Sequence, residues 1–151
     1  MNEIRVFSPA SIANLSCGYD ILGVCLDKVG DEIIVRKTKK RGVVITKISG
    51  QKLSKDIKLN VAGVSATALL NETEVNCGFE IEIHKGIKPG SGIGSSAASS
   101  AGSVFAINQL IGKPYSNKEL VKFAMEGEKA ASGSLHADNV AAVLLLSLIH
   151  I

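Results

Sequence analysis

Between residues 79 and 111 the chain passes from an alternating strand into a glycine and serine loop and then straight into an alanine-rich helix, and no other stretch limits the fold as tightly. Phe79, Ile81 and Ile83 alternate with Glu80, Glu82 and His84, the pattern of a strand with one buried and one wet face, which makes His84 a surface residue. Gly86-Ile87-Lys88-Pro89-Gly90-Ser91-Gly92-Ile93-Gly94-Ser95-Ser96-Ala97-Ala98 follows, and helical composition then runs to about Ile111. A helix start carries unpaired backbone N–H groups and partial positive charge, so glycines just before it let a phosphate approach without meeting a Cβ. Ser95 and Ser96 add hydroxyls suited to a magnesium ion or to phosphate oxygens. The loop alone is equally consistent with a flexible turn capped by Ser95, because glycine loops are common. Its spacing gives neither Gly-x-x-x-x-Gly-Lys-Ser/Thr nor Gly-x-Gly-x-x-Gly.

Around this unit the signals are local. Ile4, Val6 and Ser8-Pro9 read as a short strand ended by proline, with a small, polar, glycine-punctuated loop over residues 10–20. Residues 32–38 and 43–48 flank Lys37, Lys39, Lys40 and Arg41 and predict a β-hairpin with a solvated basic turn. Val61, Val64, Ala68 and Leu69 predict a helix over residues 59–70. Ser116 and Glu119 form a Ser-x-x-Glu capping box for a further helix with Leu120, Phe123, Ala124 and Gly127 on one face, the small residues permitting close packing. A glycine within residues 132–134 ends that helix, and His136-Ala137-Asp138-Asn139 opens a last apolar run from Val140. There is no internal repeat or linker.

Composition excludes several classes. With 4% aromatic residues, no Trp and a formal charge of +3, the chain has little with which to stack nucleobases, so nucleic acid is not an expected partner. No apolar run reaches transmembrane length, and Glu3 and Arg5 replace the apolar start of a signal peptide. Cys17, Cys25 and Cys77 are odd in number and show no CxxC spacing, which indicates neither a disulfide framework nor a zinc site. A cytoplasmic protein without a membrane partner is the expectation. At 151 residues and 46% hydrophobic it can bury one core.

Pro89-Gly90-Ser91-Gly92-Ile93-Gly94-Ser95-Ser96-Ala97 closely resembles the phosphate loop of the GHMP kinases, which act on galactose, homoserine, mevalonate and phosphomevalonate. Two segments in the expected order around it resemble motifs of the homoserine kinases within that family: Ser8-Pro9-Ala10-Ser11-Ile12-Ala13-Asn14-Leu15-Ser16-Cys17-Gly18-Tyr19-Asp20, and Gly127-Glu128-Lys129-Ala130 through His136-Ala137-Asp138-Asn139-Val140. The resemblance runs to about Leu145 and implies an α+β fold, the amino-terminal GHMP kinase domain over residues 1–145, of the ribosomal protein S5 domain 2-like kind with a left-handed βαβ unit. The resemblance also implies a carboxy-terminal ferredoxin-like domain, which is expected to be missing from these 151 residues. Residues 146–151 are also the translation of a transposon end used in preparing sequencing libraries, and are expected to be a non-native tail.

By motif position, the resemblance implies that Pro89, Gly90, Ser91, Gly92, Ile93, Gly94, Ser95, Ser96 and Ala97 bind ATP, with Asn60 at the adenine edge. It implies that Ser96 and Glu128 hold Mg2+, and that Asn14, Asp20 and His136 grip L-homoserine. Asp138 would act beside the acceptor hydroxyl as a base or an orienting group, and Asn139 would orient that hydroxyl or the γ-phosphate. Each has a plainer reading. Glu128 pairs with Lys129 or Lys122; Asn14 and Asp20 serve turn chemistry; His136 caps or is solvated; Asn60 and Asp138 cap helices. The implied reaction is phosphorylation of the L-homoserine side-chain hydroxyl to O-phospho-L-homoserine for threonine synthesis, the fragment itself being inactive and a homodimer being one assembly allowed. The rival readings are another GHMP kinase, acting on mevalonate, a sugar or shikimate, and a nucleotide-binding module without transfer.

Overall fold

The computed structural model describes residues 1–15, 22–133 and 137–145. Its elements are β1 (Glu3–Ala13), β2 (Gly23–Thr38), β3 (Gly42–Ser49), α1 (Val61–Asn71), β4 (Gly78–His84), α2 (Ser95–Leu110), α3 (Asn117–Ser132) and α4 (Asp138–Leu145). The four strands form one sheet in the order β1-β2-β4-β3, antiparallel except for the β3/β4 pair, which is parallel and is joined through α1. This is the mixed α+β architecture expected.

The core lies between one face of the sheet and the helices. Ile33, Val35, Phe79, Ile81 and Ile83 meet Leu69, Val104, Ile107, Leu120, Phe123 and Val140, all at most 2% exposed. In α2, 13 of 16 residues are buried, so this is a central helix whose small residues touch neighbours on nearly every side. Gly127 of α3 is part of that contact, since a Cβ there would lie 2.3 Å from the hydroxyls of both Ser65 and Ser100. The capping box of α3 is complete, with Ser116 Oγ accepting from Glu119 N at 3.3 Å and Glu119 Oε2 accepting from Ser116 N at 2.8 Å. Gly133, left-handed at φ 76°, ends the helix.

Four local expectations are corrected. Pro9 does not end β1: it pairs with Gly30, and the register shifts only between Pro9 and Ser11. β1 is an edge strand, where an outward-facing residue without an N–H costs no ladder bond. The predicted hairpin does not form, because β4 lies between β2 and β3. The β2–β3 connection arches over the start of β4, and Gly78 makes the room, since a Cβ there would sit 2.0 Å from Lys40 O. Arg41 in that basic connection is not merely solvated; its Nη2 donates to Leu70 O and Thr73 O, both at 3.1 Å, and so closes the end of α1. Nor is His84 simply a surface residue: it is a third exposed, 2.7 Å from Ser49 Oγ at Nδ1 and 3.0 Å from Glu82 Oε1 at Nε2.

Candidate active site

The start of α2 differs from those of α1 and α3. Asn60 caps α1, its Oδ1 accepting from Ala62 N at 3.0 Å, and α3 has its box; α2 begins at Gly94, φ 67°, with no side-chain cap. Its first N–H groups are therefore left for a ligand. Gly90 and Gly92 share the positive φ, at 75° and 78°, and nothing lies within 4 Å of a Cβ built on either. A cleft of about 460 Å³ opens in front of this loop. It brings together Asn60, Pro89, Gly90, Gly92, Gly94, Ser95, Ser96, Glu128 and Asn139 of the predicted residues, and adds Lys85 and an apolar wall of Leu53, Leu59 and Val61.

The loop is braced from behind. Ser95 Oγ does not cap α2 or face the cleft as a free donor; it donates to Ile87 O at 3.1 Å and ties the two ends of the loop together. Ser91 N donates to Lys88 O at 3.2 Å in the first turn, and Ile93 packs with Leu26 on buried Ala10, Ile87 and Ala98. Ala97 is fully buried and does not line the cleft.

Beneath the loop lies a group that sequence reading missed. Lys85 is ion-paired with Asp31, both side chains at most 1% exposed, and donates to Ser95 O at 2.8 Å and Ser99 Oγ at 2.9 Å. Asp31 Oδ1 accepts from Gly86 N and Ile87 N, each at 3.0 Å. Burial pushes the Lys85 ammonium below its ordinary pKa, against the opposing charge and hydrogen bond of Asp31. The signal was parity. Lys85 continues the buried face of Phe79, Ile81 and Ile83, and a cation there needs a partner.

Ser96 and Glu128 meet, with Ser96 Oγ donating to Glu128 Oε2 at 3.1 Å. Burial raises the Glu128 carboxyl above the usual range; the Ser96 hydrogen bond pulls it down and the charge of Asp138 pushes it further up. Lys122, one partner in the plainer reading, instead pairs with Glu72 at 2.6 Å. Asp138 is 6% exposed in the first turn of α4, and its Oδ1 accepts from Asn139 N at 2.8 Å. Asn139 Oδ1 accepts from Ser11 Oγ at 2.8 Å. Asn60 also donates through Nδ2 to Ser54 O at 2.8 Å, which leaves one of its N–H groups uncommitted. Asn14 is left-handed, φ 58°, just beyond β1. Neither Asn14 nor Asp138 lines the cleft. Asp20, His136 and the tail at 146–151 lie outside the described residues.

Among the described residues no three His, Cys, Asp or Glu side chains gather as a metal cluster. No helix among them is long and apolar enough to cross a membrane. The family model described as the GHMP kinases N terminal domain matches residues 60–146. The homoserine kinase of Methanococcus maripaludis (strain C5) is 45% identical over 144 residues, 93% of this chain and 47% of that protein. The crystal structure of a homoserine kinase from Cytophaga hutchinsonii superposes with a TM-score of 0.89 at 48% identity, covering 95% of this chain and 46% of that one. A mevalonate kinase structure from Methanococcus jannaschii, at 17% identity and a TM-score of 0.74 over 95% of this chain and 51% of its own, shares the fold. The chain thus spans about half the length of the relatives it matches.

Proposed function

The chain belongs to the GHMP kinases, and from that premise we propose that the complete protein transfers the γ-phosphoryl group of ATP to the side-chain hydroxyl of L-homoserine. The product is O-phospho-L-homoserine, an intermediate for threonine synthesis made in the cytoplasm. The observation that carries the reading is the uncapped start of α2 beneath an open glycine loop, with a hydroxyl and a buried carboxylate side by side at its edge. That combination suits a polyphosphate and a hard cation together.

The residues present fit magnesium. Ser96 and Glu128 offer hard oxygen donors in contact at the edge of the cleft, the chemistry a hard cation takes. They would hold the ion, which when bound would supply charge neutralisation for the phosphates. The chain's own part is positioning. Backbone N–H groups from Gly94 to Ser96 receive phosphate oxygens, while Lys85, paired with Asp31, keeps the loop in place from below. Leu53, Leu59 and Val61 give the base an apolar wall, beside the uncommitted N–H of Asn60. Asn139 presents its amide to the γ-phosphoryl, and Asp138 orients the acceptor hydroxyl or takes its proton late, when little assistance is needed. Asn14, Asp20 and His136 take the amino acid's ammonium and carboxylate.

Incubating the complete protein with MgATP and L-homoserine, mevalonate, galactose or shikimate, and following products by phosphorus NMR, tests this. O-phospho-L-homoserine is expected. Transfer to another acceptor, or tight ATP binding without transfer to any, would overturn the proposed substrate.

A further inference from the structure

Ser11 has no part in the reading above, yet it joins the two halves of the cleft. It is fully buried in β1. Its N–H donates to Ile93 O of the loop at 3.2 Å, and its Oγ donates to Asn139 Oδ1 of α4 at 2.8 Å, across 128 residues of sequence. The bridge passes directly behind the last glycine of the loop: a Cβ on Gly94 would lie 2.2 Å from Ser11 Oγ and 3.1 Å from Asn139 Oδ1. One short residue therefore fixes where the loop and the start of α4 stand relative to each other.

A primary amide accepts at one end and donates at the other. With Oδ1 engaged by the Ser11 hydroxyl, the Nδ2 group of Asn139 is turned away from β1, and among the described residues nothing accepts from it. Asn139 lines the cleft with Gly94, Ser95 and Ser96, so what it offers there is a pair of N–H donors. Turned by half a rotation, the same amide would set a carbonyl oxygen against phosphate oxygens, and like partial charges would face each other. In this structure the buried Ser11 hydroxyl meets the oxygen end of that amide, and the Nδ2 end is the one left to the cleft.

We infer that Ser11 is a positioning residue for phosphoryl transfer, orienting the Asn139 amide so that it donates toward the transferring phosphoryl group and holding α4 in register with the loop. The inference rests on the reading that this cleft binds MgATP. Acting through Asn139, Ser11 affects the step in which charge shifts on the phosphoryl group more than it affects the resting grip on the nucleotide.

A double-mutant cycle on the complete enzyme separates this from a packing role. Ser11→Ala is expected to lower kcat by about tenfold while KM for ATP moves less than about threefold. In an Asn139→Ala background the same change should alter kcat by less than about twofold, because the group through which it acts is gone. Ser11→Cys, close in size but a weak donor, should reproduce the kcat loss and serves if the alanine variant is poorly folded. Losses that multiply across the two sites, or a kcat that neither Ser11 variant changes, would show that Ser11 only packs. Calorimetric titration of the parent enzyme with a non-hydrolysable ATP analogue and Mg2+ keeps the two ideas apart: no binding defeats the nucleotide reading itself, whereas binding with multiplicative losses defeats only the role of Ser11.

Discussion

Glu128 carries its charge where burial disfavours it, and that cost is informative. Its folded pKa lies above the ordinary carboxylate value of 4.5, so the folded state holds the proton more tightly than the unfolded one. The ionised carboxylate consequently opposes folding at neutral pH, and the penalty is relieved as pH falls from the folded pKa toward 4.5. Glu128→Gln is expected to raise the melting temperature at pH 7 while reducing turnover at least about a hundredfold; a less stable and fully active variant would contradict both halves. Gly94 invites a second test. Alanine there must adopt φ 67° and displace Ser11, whereas at Gly92 the same strain meets open space. Left-handed backbone costs a residue with a Cβ about 1–2 kcal/mol. Gly94→Ala should lose that and more in urea denaturation, Gly92→Ala should lose the backbone cost alone, and both should weaken nucleotide binding. At this scale the resemblance to the family's motifs pointed to Ser96, Glu128 and Asn139, which the structure brings to one cleft. Asp31 and Ser11 escaped notice because each is defined by a partner 54 or 128 residues away.

Elements with short-range signals were legible. The capping box, the alternation of β4 and the glycine loop each lie within a few residues, and all appear where periodicity puts them. The order of the sheet was not. The choice between β3 and β4 as neighbour of β2 depends on Gly78 admitting the β2–β3 connection and on α1 crossing from β3 to β4, neither of which is visible in the strands' own patterns. The contact of Lys85 and Asp31 belongs to this scale, since it fastens the end of β4, the middle of β2 and the first turn of α2 to one another. Removing either partner strands a buried charge, and Asp31→Leu or Lys85→Met should each cost about 3–5 kcal/mol. The double variant should be more stable than either single one, as read by urea denaturation; additive losses would mean that the pair is not coupled.

For the molecule as a whole, the outer face of the sheet sets the response to acid. Glu82 accepts from Lys47 at 2.9 Å and from Arg36 at 3.0 Å, and these bonds hold its carboxyl down to about 2. Folding therefore favours the ionised form. The stabilisation is complete above 4.5 and is lost as pH falls toward about 2. Glu82→Gln should flatten melting temperature against pH over that interval, and a parent curve already flat there would dismiss the role. The helix that opens on the cleft has a different reach. In α2 the ligand-facing end and the interior filling are one continuous rod, with no hinge or spare surface between them. A protein so built has little freedom to reshape the proposed phosphate grip piecemeal: any substitution there must also be accommodated by three neighbouring helices and a sheet. Novelty in its lineage would accordingly arise where the acceptor is held, with the anion cradle inherited intact.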